Sequence, residues 1–300
     1  MKRIFTTLFL AVVSVVALNA QLLYKISGNG LKVPSYIVGT YHLAPASYVD
    51  SIPGARAALD AVTQVCGELP MDEMTSVEGT QKVMAAMMLP DGQSLKDVLS
   101  DEEYEKLDAY MTGVMGVGIS NPMIAAQLGN MTPMAIATQM QLVQYMKMTP
   151  GFNPNALIDS YFQTEASKNG KPVIGFETMD FQISVLYKGR SIERQKVQLM
   201  CMIDNQEYEL MMMKSLTDAY FAQDIAKILE ITEEKLGNKC DSTPEEDEAL
   251  IYGRNADWVK KMPAIMGEST LFVVGAAHLP GERGVIELLK KEGYTVEGVK

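Results

Sequence analysis

Leu271-Phe-Val-Val-Gly-Ala-Ala-His278 is a short apolar, β-branched run ending in Gly-x-x-His, and Ser35-Tyr-Ile-Val-Gly-Thr-Tyr-His42 repeats its form near the other end of the chain. These two segments hold the only histidines of the 300-residue sequence. Apolar runs of this length, closed by glycine, suit strands of a sheet that is covered on both faces. The glycine lets the backbone turn sharply or approach a neighbouring group closely. Each histidine then lies just past the carboxyl end of a strand, where open α/β sheets place their ligand crevice. One Gly-x-x-His alone reads as a hydrogen-bonded histidine capping a turn. Two in the same context, using every histidine of the chain, read as one site.

Outward from these strands, residues 22–30 and 32–38 predict an opening hairpin. A helix to about Ala61 and a strand Gln64-Val-Cys-Gly-Glu-Leu69 follow, and this β-α-β order predicts a parallel pair. Glu68, after a buried strand and a glycine, is placed at the sheet edge of His42; the plainer alternative is an exposed strand-end acid. Lys171-Pro-Val-Ile-Gly-Phe-Glu177 repeats the pattern of strand, glycine and acid. Glu177 either reaches the same crevice or caps a helix beginning at Thr178.

Residues 71 to about 165 read as a helical insertion, with a long apolar helix from Asn121-Pro122 carrying Met123, Met131, Met134, Met140, Met146 and Met148. The 22 methionines read first as adaptable core filler; an apolar substrate groove and a thioether copper site are the alternatives. Residues 192–235 read as helical. Thr243 is then an N-cap ahead of Pro244 and an acidic first turn. That helix carries Arg254 and Asn255 and is expected to stop before Pro263. Arg254 either holds a substrate carboxylate or oxyanion or makes a salt bridge on a solvated face. Strand 271–275, helix 283–292 and strand 294–297 close the chain as a second parallel β-α-β unit. The predicted class is α/β: a central mixed, largely parallel sheet flanked by helices, one domain over 21–300, with the helical insertion at about 71–165.

Residues 1–20 read as a signal peptide, with Lys2-Arg3 before an apolar run and Asn19-Ala20 as the cleavage region. The run is short for a membrane span, which needs about 20 apolar residues. The expectation is export, periplasmic or extracellular, with no stable membrane anchor after cleavage. A net charge of −11 argues against a nucleic-acid partner. Of Cys66, Cys201 and Cys240, a Cys201–Cys240 bridge is one pairing that the spacing leaves open, and Cys66 reads as a buried thiol.

Gly39-Thr-Tyr-His42, Gly67-Glu68, Phe176-Glu177-Thr178, Arg254-Asn-x-x-Trp258 and Val274-Gly-Ala-Ala-His-Leu-x-Gly281 resemble the motifs of the TraB/GumN (TIKI-like) family, as does the tail Gly284-Val-x-x-Leu-Leu-x-x-x-Gly-Tyr294. The resemblance covers essentially the whole chain after residue 20. It implies an α/β fold whose two histidines and acid converge on one cleft, and a metal-dependent protease using manganese or cobalt. The wider superfamily implied by it includes erythromycin-esterase-like enzymes and a haem-binding protein. On this reading His42, Glu68 and His278 ligate a divalent metal ion (manganese, cobalt or zinc). Glu177, or Glu68 if it is not a ligand, takes a proton from water, and Arg254 stabilises the oxyanion. The substrate is then a peptide or small molecule with an acyl bond.

Two rival readings remain at this point. In a metal-free, esterase-like hydrolase, one histidine is the base and Glu68 orients it. In a non-catalytic protein, a histidine or methionine binds haem or another small ligand, non-covalently since there is no Cys-x-x-Cys-His. The sequence has no His-Glu-x-x-His, so a helix-borne zincin site is excluded.

Overall fold

In the computed structural model, which describes residues 21–90 and 92–300, six strands form one sheet. They are β1 (Leu23–Gly28), β2 (Ser35–Thr40), β3 (Gln64–Gly67), β4 (Val173–Gly175), β5 (Thr270–Gly275) and β6 (Tyr294–Gly298). Their order is β4-β3-β5-β2-β1-β6. The pairings β4–β3, β3–β5 and β5–β2 are parallel, while β1 runs antiparallel to both β2 and β6. The expected mixed, largely parallel α/β sheet and its opening hairpin are both present. The predicted signal peptide, residues 1–20, lies outside the described residues.

Two neighbour relations differ from the expectation. β2 and β3 are parallel, but β5 lies between them; β6 sits beside β1 rather than β5. The reason is burial. Thr270 to Val274 are all buried, so β5 takes a central place that excludes water from both of its faces. The consequence is positional: β5 registers on β2 with Gly39 opposite Val274 and Thr40 opposite Gly275. Both histidine runs therefore end side by side.

The side chains alternate between two cores, as the period of a strand requires. Val38, Val65, Leu271 and Val273 face helices Ala55–Ala61, Ile158–Lys168, Gln206–Phe221 and Ile225–Glu233. Ile37, Cys66, Phe272 and Val274 face helices Gly253–Ile265 and Val285–Lys291. Cys66 is a free, buried thiol, and burial pushes it up to about 12.

A separate core of Leu107, Met111, Ile136, Met140 and Leu199 joins helices Asp101–Met115, Pro133–Met148 and Ile192–Asp204. The insertion's core thus recruits a helix from beyond residue 165, while Ile158–Lys168 packs on the sheet. Met111 and Met140 fill core, whereas Met123 is exposed. The single long helix expected from Asn121 is two, Pro122–Leu128 and Pro133–Met148. Thr132 caps the second by accepting from the Ala135 N–H, and Pro133 cannot donate backward to continue the first. The later helix does not stop before Pro263 but runs to Ile265; in a last turn the missing N–H removes only one bond. Cys201 and Cys240 form a disulfide, and Thr243 caps its helix through a capping box with Glu246. Among the described residues no helix is long and apolar enough to cross a membrane.

Candidate functional site

Four parallel strands deliver their next residues to one edge. Glu68 follows β3, Glu177 follows β4, and the Phe176 and Glu177 N–H groups extend the pairing by donating to the Gly67 and Glu68 carbonyls (both 3.0 Å). β5 leads through one 3-10 turn, Ala276–His278, and β2 leads to His42. Phe176 lies stacked between Trp258 (5.2 Å) and Phe272 (5.4 Å), which fixes the backbone that carries Glu177.

Arg254 is the hub. Its Nε donates to Glu177 Oε1 (2.8 Å), and its Nη2 donates to Glu177 Oε2 (2.9 Å) and to Glu68 Oε2. Its Nη1 donates to the Leu250 carbonyl (3.0 Å) and faces His278 Nε2 (3.3 Å). All five guanidinium N–H groups are thereby used. A π-turn over Glu248–Tyr252 precedes Arg254 and supplies that carbonyl. The guanidinium also lies over Trp258, 4.8 Å from the ring centre.

Glu177, with a side chain 2 % exposed, is saturated. Besides Arg254 it accepts from Trp258 Nε1 (2.8 Å) and Gln182 Nε2 (3.2 Å). Of its two sequence readings the crevice one holds and the capping one does not: Thr178, not Glu177, caps helix Met179–Ile183 by accepting from the Phe181 N–H. Glu68 is less enclosed, at 16 %. Its Oε1 accepts from the Gly275 N–H (2.8 Å). Burial pushes the Glu68 carboxyl up, but the charges of Arg254 and His42 and the Gly275 N–H outweigh it and hold it below its usual value.

His278 is buried, with its ring against Trp258 at 4.5 Å. Asn255 Nδ2 donates to the Arg283 carbonyl (2.9 Å), so Asn255 Oδ1 is the atom turned to His278 Nδ1, 2.7 Å away. Nδ1 therefore carries the hydrogen, and the Nε2 lone pair faces Arg254 and, at 3.9 Å, Glu68 Oε1. Burial lowers this imidazole to about 4, so the ring is neutral at pH 7.

His42 is different: its side chain is 76 % exposed and its Nδ1 lies 3.1 Å from Asp159 Oδ1. The Asp159 carboxylate raises it to about 9, with solvent around the ring moderating the pairing. Asp159 Oδ1 also accepts from Thr40 Oγ1 (2.6 Å).

The five residues singled out in the sequence all reach this sheet edge, but not as one shell. Glu68, Glu177, Arg254 and His278 form a contiguous cluster, while His42 pairs with Asp159. Among the described residues no group of three or more His, Cys, Asp or Glu side chains is arranged as a metal-binding cluster. The donor chemistry nevertheless fits a divalent ion: two imidazoles and a carboxylate, each ring with Nδ1 engaged by a neighbour, as metal-ligating histidines have. Sequence reasoning left Asn255, Trp258, Asp159 and Thr40 without roles. The helical spacing of Arg254 and Trp258, four residues apart, places them on one face and signals the second; nothing in sequence signals Asp159.

The sequence model of the TraB/PrgY/gumN family matches residues 22–298. Among curated proteins the chain is similar to a "Metalloprotease TIKI homolog" of Amphimedon queenslandica, 22 % identical over 88 % of this chain and 59 % of that protein. It is likewise similar to "Metalloprotease TIKI1" of Danio rerio, 23 % identical over 88 % of this chain and 60 % of that one. The chain thus spans about 60 % of the length of these relatives. No solved structure matches it.

Proposed function

The chain belongs to the TraB/PrgY/gumN family, and from that premise we propose that it is an exported, metal-dependent hydrolase of peptide or related acyl bonds. One observation carries the reading: both histidines have Nδ1 engaged by a neighbour at the ends of adjacent strands, with Glu68 3.9 Å from His278 Nε2. His42 and His278, with Glu68, would hold the ion. A bound manganese, cobalt or zinc ion supplies Lewis acidity and a lowered water pKa. The Cys201–Cys240 disulfide supports an oxidising, exported setting.

The chain's own groups divide the remaining work. Glu177 has no lone pair to spare, so it positions Arg254 rather than acting as base. Where Glu68 is not itself a ligand to the ion, its carboxylate, held below its usual value and partly open to solvent, takes the proton of the attacking water. Arg254 meets a developing oxyanion only by releasing a present partner; the His278 Nε2 contact, the longest at 3.3 Å, is the one it gives up first. Asn255 keeps the His278 ring in its Nδ1–H form throughout.

The test is peptide hydrolysis by the purified protein before and after chelation. Loss of activity, with recovery on adding manganese or cobalt, is the expected result. An unchanged rate after chelation would transfer the reading to a metal-free hydrolase with a histidine base. The Arg254 Nη1 contact to His278 Nε2 supports that second version, because it occupies the same lone pair.

A further inference from the structure

We propose that Asp159 is the positioning residue of His42: its carboxylate, anchored by Thr40, fixes the hydrogen on Nδ1 and leaves Nε2 as the ring's lone pair. In its metal-binding arm this rests on the function proposed above; in its ring-chemistry arm it does not.

Asp159 is the second residue of helix Ile158–Lys168 and lies 119 positions from Thr40 in sequence. The helix buries Ile158, Phe162 and Ala166 against the sheet, so packing alone asks for no acid beside them. Oδ1 takes both of the carboxylate's side-chain partners, Thr40 Oγ1 at 2.6 Å and His42 Nδ1 at 3.1 Å. Oδ2 is buried and has no hydrogen-bond partner among the described residues. A carboxylate oxygen held out of water without a partner is costly, and such groups persist in native proteins for a reason. The favourable interaction that offsets this cost is with His42, and it exists only when Nδ1 carries a hydrogen.

Thr40 completes the device. It is the last residue of β2, is 2 % exposed and sits opposite Gly275 in the parallel register. Its side chain is therefore as fixed as the sheet, and Asp159 inherits that rigidity. The motif Gly39-Thr-Tyr-His42 thus supplies both the ring and the hydroxyl that anchors the ring's partner. The plainer role for Asp159 is an acid in the first turn of a helix, favoured by the helix dipole. That role would affect stability alone and would leave the imidazole untouched.

Two histidines in the chain make the test direct. The full, metal-free protein is labelled with 15N-histidine, and His278→Gln assigns the two rings. The neutral-form tautomer of His42 is then read from its ring 15N shifts at alkaline pH. Wild type is expected as Nδ1–H. Asp159→Ala shifts it toward the Nε2–H form that free imidazole favours, and Asp159→Asn, which keeps an acceptor oxygen, restores Nδ1–H. Thr40→Val shifts the ring in the same direction as Asp159→Ala by a smaller amount, and it decides the matter if Asp159→Ala does not fold. Retention of the wild-type tautomer in both Asp159→Ala and Thr40→Val would overturn the proposal.

The second readout is a titration with cobalt alone, followed by visible absorbance. Asp159→Ala weakens cobalt binding by about 10- to 100-fold, the usual effect of removing a ligand's hydrogen-bond partner. If wild type binds no cobalt, the metal reading fails, and the tautomer result still decides the role of Asp159. If cobalt binds wild type and Asp159→Ala equally, Asp159 does not position a ligand.

Discussion

The two Gly-x-x-His motifs look alike in sequence and are built in opposite ways. His278 is enclosed by Trp258, Arg254 and Asn255, bonded to a neutral amide, and lowered by burial to about 4. His42 is open to solvent, paired with a carboxylate, and raised by Asp159 to about 9. Their glycines differ as well. A Cβ on Gly39 would lie 2.8 Å from Leu279 Cδ1 and 3.0 Å from Ala276 Cα, whereas one on Gly275 would meet its neighbours at 3.4 Å or more. Gly39 allows the strand to pack; Gly275 presents its N–H to Glu68. One histidine is therefore part of the folded core and the other is mounted upon it. The pairing of a rigid, neutral imidazole with an exposed, carboxylate-bound one lets a single edge hold two chemically distinct nitrogens.

The comparison is tested hardest by Arg254→Ala. Removing this cation leaves Glu177 buried and unpaired, and the expected loss is about 3–5 kcal/mol in urea unfolding. A loss below about 1 kcal/mol would mean that the His278 side is not a structural network. His278→Ala is expected to cost about 2–3 kcal/mol, since it opens a cavity beside Trp258 and orphans Asn255 Oδ1. His42→Ala, by contrast, should cost less than His278→Ala, about 1 kcal/mol, because solvent screens the lost pairing with Asp159, while metal binding is abolished. Equal stability losses for the two histidines would mean that the two rings are built into the fold alike.

The pH dependence of stability in the metal-free protein separates the motifs by sign. His278 has a folded value below its ordinary 6.5, so its contribution is present above 6.5 and is lost as pH falls toward about 4. His42 has a folded value above 6.5, so its contribution is present below 6.5 and is lost as pH rises through about 9. His278→Gln should flatten the acid limb and His42→Gln, more weakly because the ring is solvated, the alkaline limb. The smallest contrast is between Gly39→Ala and Gly275→Ala. The first should destabilise by about 1–3 kcal/mol through overpacking against Ala276, and the second by less than about 1 kcal/mol, as thermal unfolding would show.

Much of this arrangement was legible in the residues. Runs such as Phe272-Val-Val and Ile37-Val38 specify strands covered on both faces, and strand, glycine, acid specifies a strand end; Glu68 and Glu177 follow from that pattern. The sheet order was not legible, because the insertion of β5 between β2 and β3 depends on comparing the burial of all strands at once. Asp159 was hidden for a related reason: a helix packed on the sheet brings it to Thr40 from 119 residues away, and no local period encodes such a meeting. The division of labour between the acids was hidden too. Only the donors of Trp258, Gln182 and Arg254, converging from separate segments, reveal that Glu177 has no free lone pair.

The most direct measurement is the metal content and affinity of the purified protein beside His42→Ala and His278→Ala. About one divalent ion per chain is expected in wild type, lost from both variants, with His42→Ala fully folded. An ion retained by either folded variant, or none bound by wild type under any condition, would contradict the claim that the two motifs form one metal site.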